Sequence, residues 1–243
     1  MRVVAIIQAR MGSTRLPGKV LKDLAGETVL ARVVKRTRRA TLLDEVVVAT
    51  TTQPADDVIV RECEQLGVAY FRGDEADVLD RYYRAAQRFA ADVVVRVTSD
   101  CPLIDPELID TTVDAFLKQK ADYATNALVI TYPRGLDVEV FTAAALAWTW
   151  EAAKESYQRT HVTPYIYENP ARFKIVSLTA EKDYGVFRWT LDTKEDLEAL
   201  REMYKHFADG GNVHWREALA LAKTHPELAK LNANVQQKAL REG

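Results

Sequence analysis

Residues 3 to 19 read Val-Val-Ala-Ile-Ile-Gln-Ala-Arg-Met-Gly-Ser-Thr-Arg-Leu-Pro-Gly-Lys, and their reading decides the fold. Residues 3–7 are a short, unbroken apolar run, the pattern of a strand buried on both faces. Behind it come Arg10, Arg15 and Lys19, interleaved with Gly12, Ser13, Thr14 and Gly18. A buried strand that empties into glycine, hydroxyls and fixed positive charge suits a polyanion, and nucleotide phosphates are the obvious candidate. The loop is no Walker A motif, since five residues separate Gly12 from Gly18 and Val20 follows Lys19. It also lacks the G-x-G-x-x-G of a Rossmann loop, which grips phosphate through backbone N–H groups. Here two guanidinium forks and an ammonium are added to the backbone.

Working outward, strand-like and helix-like patterns alternate. Val29, Leu30, Val33, Val34 and Thr37 mark one helical face, and residues 46–50 a second buried strand. Residues 56–66 read as a helix ended by Gly67, and 68–71 as a third strand. Val78, Tyr82, Ala85 and Phe89 give another helical face, followed by a fourth strand at 93–97. Asp105 is placed to cap a helix that has Pro106 at its first position and Leu108, Ile109, Val113 and Phe116 inward. Such βα units imply an α/β fold, a three-layer α/β/α arrangement around a mostly parallel, Rossmann-like sheet. The pattern loosens over residues 122–190, which read as an inserted irregular α+β segment with one helix near 143–154. Residues 186–191 within it look like a further strand. Thr193 then opens a helix with a capping-box spacing, and Gly210 and Gly211 break the chain before one or two last helices. The whole of 1–243 is expected to be one domain, with the 122–190 segment shaping an acceptor pocket and a contact between two copies, through 123–132 and the helix of Trp148 and Trp150.

Composition narrows the partners. A net charge of −2 on 243 residues argues against nonspecific nucleic-acid binding. The basic run Arg32, Lys35, Arg36, Arg38, Arg39 lacks interleaved aromatics and is expected to be a solvated face. Cys63 and Cys101 are too few and too far apart for a disulfide or zinc framework, and no segment approaches the roughly 18 to 20 apolar residues of a membrane span. A reduced, cytoplasmic chain with no membrane and no nucleic-acid partner is the expectation.

Ligands of open parallel sheets bind outside the carboxyl ends of the strands. Those ends carry Gln8, Ala9 and Arg10; Thr50; Arg72; and Thr98 with Asp100. Asp100 could cap the turn that follows or hold a Mg²⁺ ion on substrate phosphates; Asp192 has the same two readings. Cys101 has no neighbouring base and reads as a small buried residue. His161, two residues after Arg159, is either packed in a turn or a substrate contact.

Residues 5–26, 71–83, 96–106, 133–141, 161–170 and 191–198 together resemble the CMP-sugar synthetases, the cytidylyltransferases that activate sugar acids, and most of all their spore-coat polysaccharide biosynthesis protein F branch. The likeness runs over about residues 1–207. It implies a sheet of the nucleotide-diphospho-sugar transferase type and transfer of CMP from CTP to a sugar acid or sugar-like acceptor, with release of pyrophosphate, in surface polysaccharide or glycoconjugate synthesis. It implies that Arg10, Gly12, Ser13, Arg15 and Lys19 bind the triphosphate, with Arg15 and Lys19 acting in catalysis. It implies further that Gln8 and Ala9 border the base, Arg72 faces base or ribose, and Thr98 contacts base or sugar. Asp100 and Asp192 match the two aspartates that hold Mg²⁺. Arg134, Asp137, Glu139, Arg159 and His161 fall in the acceptor region, and relatives are commonly homodimers. The octulosonate enzymes carry Ser-Gly-Thr-Asp-Arg after the third strand, whereas residues 72–77 here are Arg-Gly-Asp-Glu-Ala-Asp, so the acceptor itself is not written in the sequence. Two rival readings are a nucleotide-sugar-dependent glycosyltransferase, which releases no pyrophosphate, and a non-catalytic nucleotide-binding module.

Overall fold

A computed structural model describes residues 1–207 and 211–242. The first strand, β1 (Val3–Gln8), is the spine of the molecule. Val3, Ala5 and Ile7 enter one apolar core, while Val4 and Ile6 enter the core on the other face. This is why the run is continuous rather than alternating. Each buried valine or isoleucine of this strand contributes about 1.5–3 kcal/mol relative to exposure.

After β1 and its loop, a hairpin of β2 (Asp23–Leu24) and β3 (Glu27–Thr28) leads into α1 (Val29–Thr37). Then follow β4 (Glu45–Thr51), α2 (Asp57–Gln65), β5 (Ala69–Gly73), α3 (Val78–Arg88), β6 (Val93–Thr98) and α4 (Pro106–Gln119). The pairs β1/β4, β1/β6 and β4/β5 are all parallel. The chain steps outward from β1 to β4 to β5, and then α3 returns it to β6 on the other side of β1. The crevice where strand order reverses therefore opens at the carboxyl ends of β1 and β6.

The next segment holds β7 (Tyr123–Thr125), β8 (Glu139–Thr142), α5 (Ala143–Ala152), α6 (Ser156–His161), α7 (Pro164–Tyr167) and β9 (Ile175–Ser177). It extends the same sheet to the seven-stranded order β5-β4-β1-β6-β8-β7-β9. β8 alone runs against its neighbours β6 and β7. The expected α/β architecture with a mostly parallel sheet is thus observed. One expectation fails: residues 186–191 form no strand, only a single bridge between Arg134 and Arg188. Their alternation arises because Trp189 and Leu191 bury into a third core while Val186 is 85 % exposed. At that bridge Gly135 has φ of +99°, and a Cβ there would meet the Trp189 and Thr190 backbone at 2.7 Å.

The chain finishes with α8 (Lys194–Tyr204), α9 (Trp215–Thr224) and α10 (Pro226–Lys230), which build the third core. Gly210 lies outside the described residues; Gly211 has φ of +89°. The basic run on α1 is not a solvated face throughout. Arg36 is buried and donates to the carbonyls of Leu103, Ile104, Gly211 and Val213, and buried Arg32 donates to Leu24 and Ala25. Both sit one turn apart on the helix face that meets these loops, whose unpaired carbonyls need donors. No helix among the described residues is long and apolar enough to cross a membrane.

Candidate active site

The loop after β1 is folded by its own backbone. The Met11 carbonyl accepts from Ser13 N at 2.9 Å and from Gly18 N at 3.0 Å. Gly18 turns at φ of +66°, a left-handed conformation that favours glycine. Met11 N donates to Asp56 Oδ1 at 2.7 Å. Asp56 is buried and also accepts from Thr51 Oγ1, so the end of β4 braces the loop. The sequence reading overlooked Asp56, since an acid before a helix signals only a cap. Buried Val20 anchors the other end of the loop and fixes the stem of Lys19.

Lys19 reaches across the crevice. Its Nζ donates to Asp100 Oδ2 at 2.6 Å, to Asp192 Oδ1 at 2.9 Å and to the Leu191 carbonyl at 2.8 Å. The second oxygen of Asp192 meets Arg15 at 3.0 Å and Arg188 at 2.8 Å. Neither aspartate is taken up by capping. Asp105 caps α4 through Glu107 N and Leu108 N, and a reciprocal Thr193–Asp196 pair caps α8. The two carboxylates are held together by the Leu191 N to Asp100 O bond of 2.8 Å.

Burial alone would push the Asp100 carboxyl up, but the ammonium of Lys19 outweighs it and holds Asp100 down at about 2. Burial likewise works against the charged Lys19, and Asp100 and Asp192 overcome it, raising its pKa above the ordinary lysine value. Asp100 and Lys19 are therefore both ionised at neutral pH. Two hard oxygen donors aimed at one point now filled by an ammonium are a fitting partial set for a divalent cation. Mg²⁺ characteristically takes one or two carboxylates and completes its shell with phosphate oxygens and water. Among the described residues no cluster of three or more acidic, histidine or cysteine ligands exists, so the substrate would have to complete the shell.

These groups wall a cleft of about 220 Å³ that also receives Gln8, Ala9, Arg10, Ser13, Thr14, Thr98, Ser99, Thr160 and His161. Three residues lining it carry a buried polar atom without a partner: Gln8 Oε1, Arg81 Nε and His161 Nε2. A buried unpaired acceptor costs about 1–3 kcal/mol, which a ligand donor would recover. Burial, with Arg96 nearby, lowers the pKa of His161 and keeps the ring neutral. Cys101 is a buried, inert thiol, its pKa raised by burial and by Asp100.

Other expected site residues stand elsewhere. Thr50 is fully buried beneath the sheet end, and Gly12 shapes the loop beside Glu75 rather than lining the cleft. Arg72 donates to the Thr51 carbonyl at 2.8 Å and pairs with Asp57 at 2.8 Å. Of the acceptor group, His161 alone reaches the cleft. Arg159 is clamped on Asp77 and on the Trp150 carbonyl. Glu139 is saturated by Arg96, Tyr123 and Thr163. Arg134 lies in the backbone bridge to Arg188. Burial, with Glu139 close by, pushes Asp137 up to about 6. Sequence reasoning missed Arg81, Arg188 and Lys238. Arg81 is buried on α3 and lines the cleft; its place one turn after the Asp77 cap was the signal available.

Comparison with known proteins places this geometry in context. A family model described as cytidylyltransferase matches residues 4–234. The spore coat polysaccharide biosynthesis protein SpsF of Bacillus subtilis is 35 % identical over 235 residues, 93 % of this chain and 96 % of that one. A 3-deoxy-manno-octulosonate cytidylyltransferase of an Anaeromyxobacter species is 32 % identical over 217 residues, 83 % of this chain and 84 % of that one. A cytidylyltransferase structure from Leptospira borgpetersenii superposes with a TM-score of 0.91 at 34 % identity, over 98 % of this chain and 100 % of that one.

Proposed function

The chain belongs to the cytidylyltransferase family, and from that premise we propose that it transfers CMP from CTP to a sugar acid or sugar-like acceptor, releasing pyrophosphate. The observation that carries the reading is the convergence of Lys19, Arg15, Asp100 and Asp192 at the mouth of β1. The cationic loop takes the triphosphate, and Gln8 Oε1 is the acceptor available to an exocyclic amino group such as that of cytosine. An acceptor hydroxyl oxygen bonds to the α-phosphorus while the bond to the pyrophosphate oxygen breaks, and the hydroxyl proton passes to water. Arg15 and Lys19 oppose the charge that grows on pyrophosphate, and the rigid strand ends hold the reactants in line. Asp100 and Asp192 would hold Mg²⁺, which when bound supplies positive charge to the reacting phosphate.

The 122–190 segment forms the acceptor side within a single domain, working in the cytoplasm on surface polysaccharide or glycoconjugate precursors. It also meets a second copy of the chain. Tyr123 is buried and Trp150 stacks on Tyr83 at 4.5 Å, so the contact falls to exposed Leu128, Val129 and Trp148. Light scattering that finds only monomers removes the dimer.

The test of activity is pyrophosphate release from each of the four nucleoside triphosphates with Mg²⁺ across a panel of sugar acids, sugars and phosphonates. Release with CTP and one acceptor is expected. Release of CMP or UDP from a nucleotide sugar without pyrophosphate would instead establish a glycosyltransferase. CTP binding that survives Asp100→Asn and Asp192→Asn, without turnover in the wild type, would establish a binding module.

A further inference from the structure

The segment after α10 does not leave the molecule; it crosses the mouth of the cleft. Asn232 is buried and donates to the Arg188 carbonyl at 3.0 Å and to Asp196 at 2.9 Å, which fixes where the crossing starts. The Gln236 carbonyl accepts from Arg15 at 3.3 Å, and Gln237 Oε1 accepts from Arg188 at 2.8 Å. Beyond them the Leu240 backbone meets His161, and Arg241 lies over the Tyr157 ring with 5.2 Å to its centroid. Between these two moorings Lys238 lines the cleft.

The charges of that cleft are unbalanced. Arg10, Arg15, Lys19, Arg81 and Lys238 face two carboxylates, Asp100 and Asp192. Arg10, Arg15 and Lys19 each have a carboxylate of the chain at 3.7, 3.0 and 2.6 Å. Lys238 has no ion pair or hydrogen bond among the described residues. Excess positive charge on a walled cleft draws in a multiply charged anion. The tail touches the cationic loop through Arg15 just two residues before Lys238, so Lys238 enters the cleft beside that loop.

We propose that Lys238 is a nucleotide-binding residue, its ammonium contacting the β- and γ-phosphate oxygens of a nucleoside triphosphate so that the C-terminal tail closes the triphosphate grip. The proposal rests on the CTP reading above. It assigns to a polar tail a part of the site that the loop alone leaves open to solvent. A lysine on a flexible stem suits the task, since a point charge follows phosphate oxygens without demanding one geometry.

Calorimetric titration of the full chain with CTP, CMP and inorganic pyrophosphate, each with Mg²⁺, tests it in the wild type, Lys238→Ala and Lys238→Arg. Lys238 is exposed, so neither change should alter the melting temperature. Expected is a loss of about tenfold in affinity for CTP and pyrophosphate in Lys238→Ala, with CMP unchanged. Lys238→Arg should stay within about threefold of the wild type, because the charge remains. Lys238→Ala binding CTP as the wild type does, or losing CMP as much as CTP, overturns the proposal alone. A wild type that does not bind CTP overturns the nucleotide reading and this proposal with it.

Discussion

The Lys19–Asp100–Asp192 cluster and the Arg96–Glu139 cluster are built from the same chemistry near the same sheet end. Burial does not separate them: Lys19 and Arg96 side chains are both 13 % exposed. What differs is saturation. Both oxygens of Glu139 are taken by donors of the chain, Tyr123 and Thr163 on one and Arg96 on the other. Asp100 Oδ1, in contrast, meets the Cys101 thiol at 3.6 Å, a weak partner. The first cluster borders the cleft and can exchange partners with a substrate; the second is closed and serves the fold. A charged pair thus becomes a site when competitors can enter, not when it is buried.

The comparison breaks most sharply under substitution. Glu139→Ala leaves Arg96 buried without its partner and should cost about 3–5 kcal/mol, read as a fall in chemical-denaturation stability. A loss below 1 kcal/mol would show that this cluster, too, is open. Lys19→Ala should act the other way, lowering turnover about 10²- to 10³-fold while unfolding stability falls much less than in Glu139→Ala. Near-normal pyrophosphate release by that variant would remove Lys19 from the chemistry.

Asp137 sharpens the boundary between the clusters. Its folded pKa of about 6 lies above the ordinary carboxyl value of 3.8. The native state therefore holds the proton more tightly than the unfolded chain. The resulting stabilisation is complete below about pH 4 and is lost as pH rises through about 6. Asp137→Asn should stabilise the protein by about 3 kcal/mol at pH 7.5 and by nothing measurable at pH 4, which paired melts at the two pH values would record. Equal effects at both would contradict a raised pKa. The smallest effect is expected of Arg72→Ala. A partly exposed pair with Asp57 is worth about 0–1 kcal/mol, and CTP affinity should stay within about twofold. A tenfold loss of CTP affinity would return Arg72 to the nucleotide.

How much of this was legible follows from which residues act locally. The core run of residues 3–7, the Asp105 cap and the Thr193 capping box are set by neighbours in sequence and read correctly. Lys19, Asp100 and Asp192 do meet, although residues 186–191, which lead to Asp192, form no strand. Residues 186–191 misled because Trp189 and Leu191 bury against helices, a partner that alternation cannot specify. Arg36 misled because its partners are carbonyls of loops distant in sequence, and Arg32 because the β2–β3 turn folds back to place the Leu24 and Ala25 carbonyls against it. Glu139 and Arg159 carried the right chemistry, yet internal donors and acceptors claimed them. Lys238 lies in a polar tail with no periodicity, so only its path across the cleft reveals it.

The reach of Lys19 has a consequence for how the protein comes into being. Its partners lie 81 and 173 positions downstream. During synthesis the cationic loop emerges first and waits, its ammonium uncompensated, until nearly four-fifths of the chain has been made. A truncated or nicked product therefore retains the cationic loop but not the carboxylates that discipline it.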